Sequence, residues 1–395
     1  MKTLQIIGNS AFGGATRLVL DWCKYLVDKG CLVDVLTTDQ RTKEEFSLIS
    51  GVQVRQEIFI PRDIEILQNI QAIGKLIKLL KEEKYQVVHT YSATPGFVGR
   101  LSGFLSGIPV VLHHQAAWAV SDASSFLRKY LYQLLESIAI GVSTKNICVS
   151  NAVRKQANDL PLIPKSKLVT ICNGIDVERF NHELSSNYRI ELCNQFGITQ
   201  NSILLGNTGR LAVQKDYATL IQAVEELKNK DPERSYKLFV IGDGPDRDSL
   251  ESLANSLNLS NDVFFLGFRS DISKILKSID VFVSPTLREG LSISILEAMA
   301  AGCPIVATNI LPNAELIEHE VTGLLIPIKS PIKAAEAILS LVEHPDTAFK
   351  IGQAARNRVL QDYTCKRMFD ETFQLYCDLL SKKDKMNFNT ELEHN

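Results

Sequence analysis

Short apolar runs alternate with longer amphipathic segments along nearly the whole chain, and no other feature constrains the fold as much. TLQIIG is an apolar run that ends in glycine. A helical segment follows, roughly Ala15 to Lys29, and then the run LVDVLTT. YQVVHT, PVVLHH and NICVS come next, each strand-like and each followed by a polar or helical segment. Strands joined through helices make a parallel sheet with covered faces, because a parallel pair needs a long crossover.

The rhythm restarts near Ser202 with SILLGNTGRL, YKLFVIGDG, NDVFFLG, DVFVSP and CPIVAT. Between the halves, about Asp176 to Gly197, periodicity is poor, and the hinge is expected there. The 395 residues suffice for two domains, expected at 1–180 and 198–365. The amphipathic helix around 366–380 is expected to pack back on the first. The tail 381–395, SKKDKMNFNTELEHN, lacks apolar periodicity and is expected to be frayed. The fold class is α/β: two doubly wound, Rossmann-like domains facing a central cleft, with ligands at the carboxyl ends of the strands.

Composition removes several alternatives. A net charge of −2 does not indicate a broad nucleic-acid-binding surface. The eight cysteines include no C-x-x-C pair and mostly sit in apolar runs, as buried thiols do in a reducing compartment. MKTLQIIGNS is too short in its apolar part for a signal peptide, and no run reaches the roughly 18 apolar residues of a membrane span. A cytoplasmic protein is expected, at or near the inner face of the membrane. A solute-binding protein of two lobes would need an export signal.

Several segments could carry chemistry. The first loop, GNSAFGGATR from Gly8 to Arg17, links a strand to a helix, and Gly13 and Gly14 would let a ligand approach the helix N-terminus. It is neither G-x-G-x-x-G nor a Walker loop, which removes support for a dinucleotide dehydrogenase or a P-loop NTPase. In the second half, Gly209 and Arg210 follow a strand and Lys215 precedes a helix, two cations placed to suit a diphosphate. Taken singly, each would read as a solvated surface charge. GDGP (Gly242 to Pro245) and NGID (Asn173 to Asp176) read as turns. His113 and His114 end one strand, and alternation allows at most one of them to face a given side. No histidine–carboxylate cluster suggests a metal site.

REGLSISILEAMA, Arg288 to Ala300, carries two glutamates eight residues apart. Ser294-x-x-Glu297 fits a helix capping box, which would make Glu297 structural. In ILQNIQAIGKLIKLLKEEK, Ile66, Ile70, Ile73, Ile77 and Leu80 form one stripe with lysines elsewhere. That pattern suits packing on a sheet or contact with a membrane surface.

In this order, NGID…F, GRL…QKDY, GDGP, VFFLG, EGLSISILEAMAAGCPIVAT and TGLLIP resemble the retaining nucleotide-sugar glycosyltransferases of the GT-B fold, "group 1" class. The resemblance spans nearly the whole chain. It implies an N-terminal acceptor-side domain and a C-terminal domain that binds the sugar nucleotide. It places Glu289 near the transferred sugar and Glu297 on the nucleotide ribose. Arg210 and Lys215 become the diphosphate-binding cations, with Gly209 beside them. Gly290, Leu291, Ser292 and Ile293 form the helix start aimed at the donor phosphates, and Gly13 and Gly14 the N-terminal glycine loop. A strand-end histidine, His113 or His114, contacts the sugar. No metal is implied, because cations and a helix N-terminus can replace its charge. Two departures stand out: HHQA replaces the usual histidine-glycine signature, and Ser292 stands where proline is common. The stretch IPRDIEIL to GRLSG is similar to members that build capsular and extracellular polysaccharides, which implies a UDP-sugar donor and a glycan or polyprenyl-linked acceptor. A GT-B-like UDP-sugar epimerase and a non-catalytic sugar-nucleotide-binding protein are the alternatives.

Overall fold

The computed structural model describes residues 1–9, 13–61, 65–118, 126–181 and 188–393. Contacts divide the chain into two compact units, Met1–Cys172 with the segment from Lys366 onward, and Asn173–Cys365. Ser10, Ala11 and Phe12 of the first glycine loop, and the last two residues of the tail, lie outside the described residues.

The first unit is built on a seven-stranded parallel sheet of β1 (Lys2–Gly8), β2 (Leu32–Thr37), β3 (Val52–Arg55), β4 (Val87–Tyr91), β5 (Val110–Gln115), β6 (Lys145–Cys148) and β7 (Leu168–Thr170). Their order is β3-β2-β1-β4-β5-β6-β7, so the winding reverses between β1 and β4. Loops leaving two strands at such a point open a crevice at the sheet's carboxyl edge. The helix Ala93–Leu105 packs very close to this sheet because it carries a glycine every three or four residues. A Cβ at Gly96, Gly99 or Gly103 would come within 3 Å of His113, Thr90 or Val111, respectively.

The second unit repeats the plan with six parallel strands: β8 (Ile203–Thr208), β9 (Tyr236–Ile241), β10 (Val263–Gly267), β11 (Val281–Ser284), β12 (Ile305–Thr308) and β13 (Leu324–Ile326). The order β10-β9-β8-β11-β12-β13 reverses between β8 and β11. Its core joins the Tyr217–Lys230 and Pro331–Glu343 helices to the central strands through Leu220, Val224, Leu238, Val281 and Ile338, all fully buried. Burying five such side chains contributes on the order of 10 kcal/mol before entropy is counted.

Three expectations about organisation change. The hinge was expected at about Asp176 to Gly197 and the first domain at 1–180, whereas the contacts divide the chain at Cys172/Asn173 and Cys365/Lys366, so 173–180 and the described part of 181–197 belong to the second unit. The reason is local: Ile175 N–H donates to Tyr363 O (2.9 Å) and Cys365 N–H to Ile175 O (2.9 Å), which ties this segment to the end of the unit. The tail past Ser381, expected to fray, continues the Cys365–Glu393 helix. It contains no Gly or Pro to stop it, and its lysines, glutamates, Met386 and Leu392 are good helix formers. Third, in the Ile66–Glu83 helix the sheet-facing side is Ala72, Leu76, Leu79 and Leu80. Ile66 and Ile70, placed on the buried stripe by periodicity, are 72% and 61% exposed. Among the described residues no helix is long and apolar enough to cross a membrane.

Candidate active site

Both segments with charged motifs in the second unit leave the sheet at its reversal point. Gly209, Arg210 and Lys215 follow β8, and Glu289 to Glu297 follow β11. The first loop is held by backbone contacts that only glycines permit. A Cβ on Gly242 would stand 2.0 Å from Gly209 O, and one on Gly244 would stand 2.2 Å from Leu211 O. Gly209 N–H donates to Ile241 O (2.9 Å) and Leu211 N–H to Asp243 O (3.0 Å). The GDGP turn therefore forms the backing of the Arg210 loop, and Gly242, at φ +134, sits where a side chain is disfavoured. The phenol of Tyr217 donates to Gly209 O (3.2 Å) from the other side.

Arg210 is exposed, and no side-chain partner holds it among the described residues. Lys215 ends a short 3-10 turn, Val213–Lys215, closed by Asp216 in the left-handed region. Its ammonium pairs with the Glu289 carboxylate, the two side chains being 16% and 20% exposed. Leu287 N–H donates to Gln214 O (2.8 Å), so the two loops are joined by backbone as well as by charge. Burial and the nearby Glu289 charge push the Tyr217 hydroxyl up; it stays neutral and acts as a donor.

The capping-box expectation fails. The Ile293–Ala301 helix is capped by Ser292, whose side chain accepts from Ile295 N–H (3.4 Å) and lies 3.0 Å from Ser294 Oγ. Ser292 thus supplies a cap that proline could not, which gives the departure at this position a structural role. Glu297 stands five residues past the cap, too far along to bond the helix start. Its one ion-pair partner among the described residues is Arg179, at 4.0 Å. Burial raises its carboxyl to about 7, against a smaller opposing effect of Arg179. A sheltered carboxylate without a close partner costs stability unless something else uses it. Residues 290 to 292 are buried, and Ile293 is half-buried at the first turn.

In the first unit the histidine pair separates. His113 is 3% exposed, its Nδ1 lies 2.9 Å from Thr90 Oγ1, and Gly96 is pressed against its ring. Burial, then Arg100 and two neighbouring histidines, holds it well below the usual histidine range, and so neutral. His114 faces the other side, half-buried, with its ring 5.8 Å from Tyr91 and 6.0 Å from His89. Gly13 caps the Gly14–Asp28 helix, and its N–H donates to Thr16 Oγ1 (2.6 Å). Neither Gly13 nor Gly14 has a positive φ, and a Cβ on either would meet nothing within 4 Å among the described residues.

Sequence reasoning missed Arg179 and Arg356. Arg356, on the Pro345–Asp362 helix, donates to Ala300 O and to Asn181 Oδ1 (2.8 Å), bridging the 3-10 turn Val177–Phe180 to the Ile293–Ala301 helix. The spacing of NGID…F was the available signal for the first. Nothing in the sequence marks the second. Among the described residues no group of three or more His, Cys, Asp or Glu could hold a metal ion.

The family model described as "Glycosyl transferases group 1" matches residues 189–358, and that described as "Glycosyltransferase Family 4" matches 12–179. The chain is 29% identical over 330 residues to the UDP-Gal:alpha-D-GlcNAc-diphosphoundecaprenol alpha-1,3-galactosyltransferase of Escherichia coli, covering 82% of this chain and 84% of that protein. It is 25% identical over 393 residues to the capsular polysaccharide biosynthesis glycosyltransferase CapM of Staphylococcus aureus, covering 97% and 100%. Among solved structures, a glycosyltransferase of Rickettsia africae superposes with a TM-score of 0.81 at 21% identity, over 96% of this chain and 98% of that one. Anabaena HepE in complex with UDP-glucose gives 0.80 at 22%, over 97% and 100%. The fold is that of the GT-B enzymes, and the chain belongs to the group 1 glycosyltransferases.

Proposed function

We propose that this enzyme is a retaining glycosyltransferase that uses a UDP-sugar and builds a surface polysaccharide or glycolipid on a lipid-linked glycan. The observation that carries this reading is the reversal point of the second sheet. There, on two adjoining loops and the helix that follows the second, stand Arg210, which no side chain among the described residues holds, a Lys215–Glu289 pair, the start of the Ile293–Ala301 helix and, within that helix, a sheltered Glu297. Arg210, Lys215 and the helix start suit a diphosphate, and Glu297 suits the two hydroxyls of a ribose. The names of the E. coli and S. aureus relatives support the substrate class, and the UDP-glucose bound to HepE supports the nucleotide.

In the reaction, the bond from the anomeric carbon to the donor phosphate breaks and a bond from that carbon to the acceptor oxygen forms on the same face. The acceptor proton passes to the leaving phosphate. Arg210 and Lys215 would stabilise the charge arriving on the diphosphate, and with the helix start they would make a metal unnecessary. Glu289, held by Lys215, is placed beside the sugar. In the first unit, Gly13 and Gly14 stand at a helix start, which suits an anion or a sugar, and His114 is the half-buried histidine of its pair. A donor screen that follows nucleotide release, with and without a membrane extract, tests the reading. Release from UDP-sugars that needs the extract supports it. Conversion of UDP-N-acetylglucosamine without an acceptor favours an epimerase instead.

Peripheral contact with an anionic membrane is supported by one feature. Ile66, Leu67 and Ile70 project at 72%, 77% and 61% exposure from the first turns of a helix that also carries the exposed Lys75 and Lys78. Co-sedimentation with anionic vesicles should weaken as salt rises, and should be lost in Ile66→Ser/Ile70→Ser. Absence of pelleting at low salt refutes the contact.

A further inference from the structure

The NGID…F segment reads as a turn, yet it is anchored more firmly than a turn requires. Gly174 abuts the main chain, and a Cβ there would lie 2.2 Å from Thr364 O. Asp176 accepts from Glu178 N–H (3.1 Å) and caps the Val177–Phe180 turn. Phe180 is 1% exposed and pins the end of that turn. Arg356 then clamps Asn181 to Ala300 O, three residues beyond Glu297. What these contacts leave at the surface is Arg179, 37% exposed, with its guanidinium 4.0 Å from Glu297 Oε1.

We infer that Arg179 is a positioning residue for Glu297, a role that rests on the ribose reading of Glu297 given above. The separation is what makes the pair useful. At 4.0 Å the guanidinium still favours the ionised carboxylate. It is too far away to occupy the carboxylate with short hydrogen bonds, so both oxygens remain available as acceptors for a ribose diol. Charges on the other elements packed around the helix are engaged elsewhere. Arg356 bonds Ala300 O and Asn181, Arg358 donates to Glu315 O (3.0 Å), and the ammonium of Lys274 lies over the Tyr188 ring. β12, on the remaining side, carries no charged residue. Without Arg179, the sheltered carboxyl would take up a proton at higher pH and present a donor where the diol needs an acceptor.

The experiment uses the full-length enzyme with Arg179→Ala, Arg179→Lys and Glu297→Gln. The Glu297 carboxyl is titrated by carbon-13 NMR, with Glu297→Gln to assign the signal, and UDP affinity is measured by calorimetry from pH 6 to 9. Arg179→Ala should raise the titration midpoint by about one unit. It should weaken UDP binding about tenfold at pH 6 and little at pH 9, and Arg179→Lys should restore most of the loss. An unchanged midpoint in Arg179→Ala overturns the inference, as does an equal loss of affinity at every pH. If UDP fails to bind the parent, or binds Glu297→Gln equally well, the ribose reading falls instead. The midpoint still reports in that case whether Arg179 governs the carboxyl.

Discussion

Lys215 has two candidate duties, and the structure allows them to be separated. Its ammonium pairs with Glu289 in a setting where both side chains are about four-fifths covered. Such a pair lies between an exposed one, worth under about 1 kcal/mol, and a buried one, whose breakage costs about 3–5 kcal/mol. Lys215→Ala should therefore cost about 1–3 kcal/mol, because Glu289 keeps its shelter and loses its counter-charge. For a unit of this size that is a fall of roughly 2–4 °C per kcal/mol in melting temperature. Removing both charges, in Lys215→Ala/Glu289→Gln, should recover most of the loss. Turnover should behave differently. If Lys215 also meets the diphosphate, Lys215→Ala should slow transfer by about 10²-fold or more, and the double variant should recover none of it. The assays are thermal melts and initial rates of UDP release on the parent, the two single variants and the double variant. Near-parental turnover in the double variant would refute the argument, since Lys215 would then serve Glu289 alone.

Arg210→Ala should melt with the parent, because the side chain is exposed and pairs with no side chain among the described residues, yet lose about 10²-fold in turnover; parental rates would make it a surface charge. Its combination with Lys215→Ala should be less than additive in transfer rate, since both would grip one diphosphate, and a double-mutant cycle measures this. Gly244→Ala should cut turnover although it touches no substrate, because its Cβ would stand 2.2 Å from Leu211 O and displace the Arg210 loop; unchanged kinetics would show that the loop tolerates the shift. Glu297 supplies a pH test. Its carboxyl rises from the ordinary 4.5 to about 7 in the folded chain, so above pH 7 it is ionised in both states and its burial costs stability, at most ~3 kcal/mol. As pH falls from 7 to 4.5 the folded state takes up the proton first and that cost is relieved. Glu297→Gln should therefore melt above the parent at pH 8, and the gap should close by pH 5; a gap independent of pH refutes the assignment.

Much of the architecture was legible because both halves repeat one period: an apolar run, a turn, then an amphipathic helix. The strands that escaped were β3, β7 and β13, of four, three and three residues. All three lie at sheet edges, where a short run carries too few alternations to be seen. The boundary was displaced for a related reason. NGID has no periodicity of its own, and what assigns it to the second unit is a backbone pairing with Tyr363 and Cys365, nearly 190 residues away. The charged residues were visible as types and spacings, but their partners were not. No local pattern shows that Lys215 meets Glu289, 74 residues on, or that Ser292 rather than Ser294 caps the helix. The histidine pair follows the same rule. Alternation said that His113 and His114 part company, and only the glycines of the neighbouring helix decide which one is enclosed.

The charges at the second reversal point also say how the site would change when a donor arrives. Lys215 is neutralised by Glu289 and Glu297 is partly answered by Arg179, while among the described residues no side chain pairs with Arg210. A diphosphate brings negative charge to a place that already holds a carboxylate. It can be accommodated only if Lys215 turns from Glu289 toward the phosphates or serves both at once. In the first case Glu289 is released as the donor binds and becomes free to accept hydrogen bonds from the sugar. In the second it stays held, and the lysine only fixes its position. Donor binding measured against salt distinguishes them, because exchanging one partner for another leaves the count of ion pairs unchanged, whereas adding a contact steepens the salt dependence. Glu289→Gln removes the competitor. It should tighten UDP binding while slowing transfer if the lysine exchanges partners, and weaken both if the lysine needs the carboxylate to hold it in place.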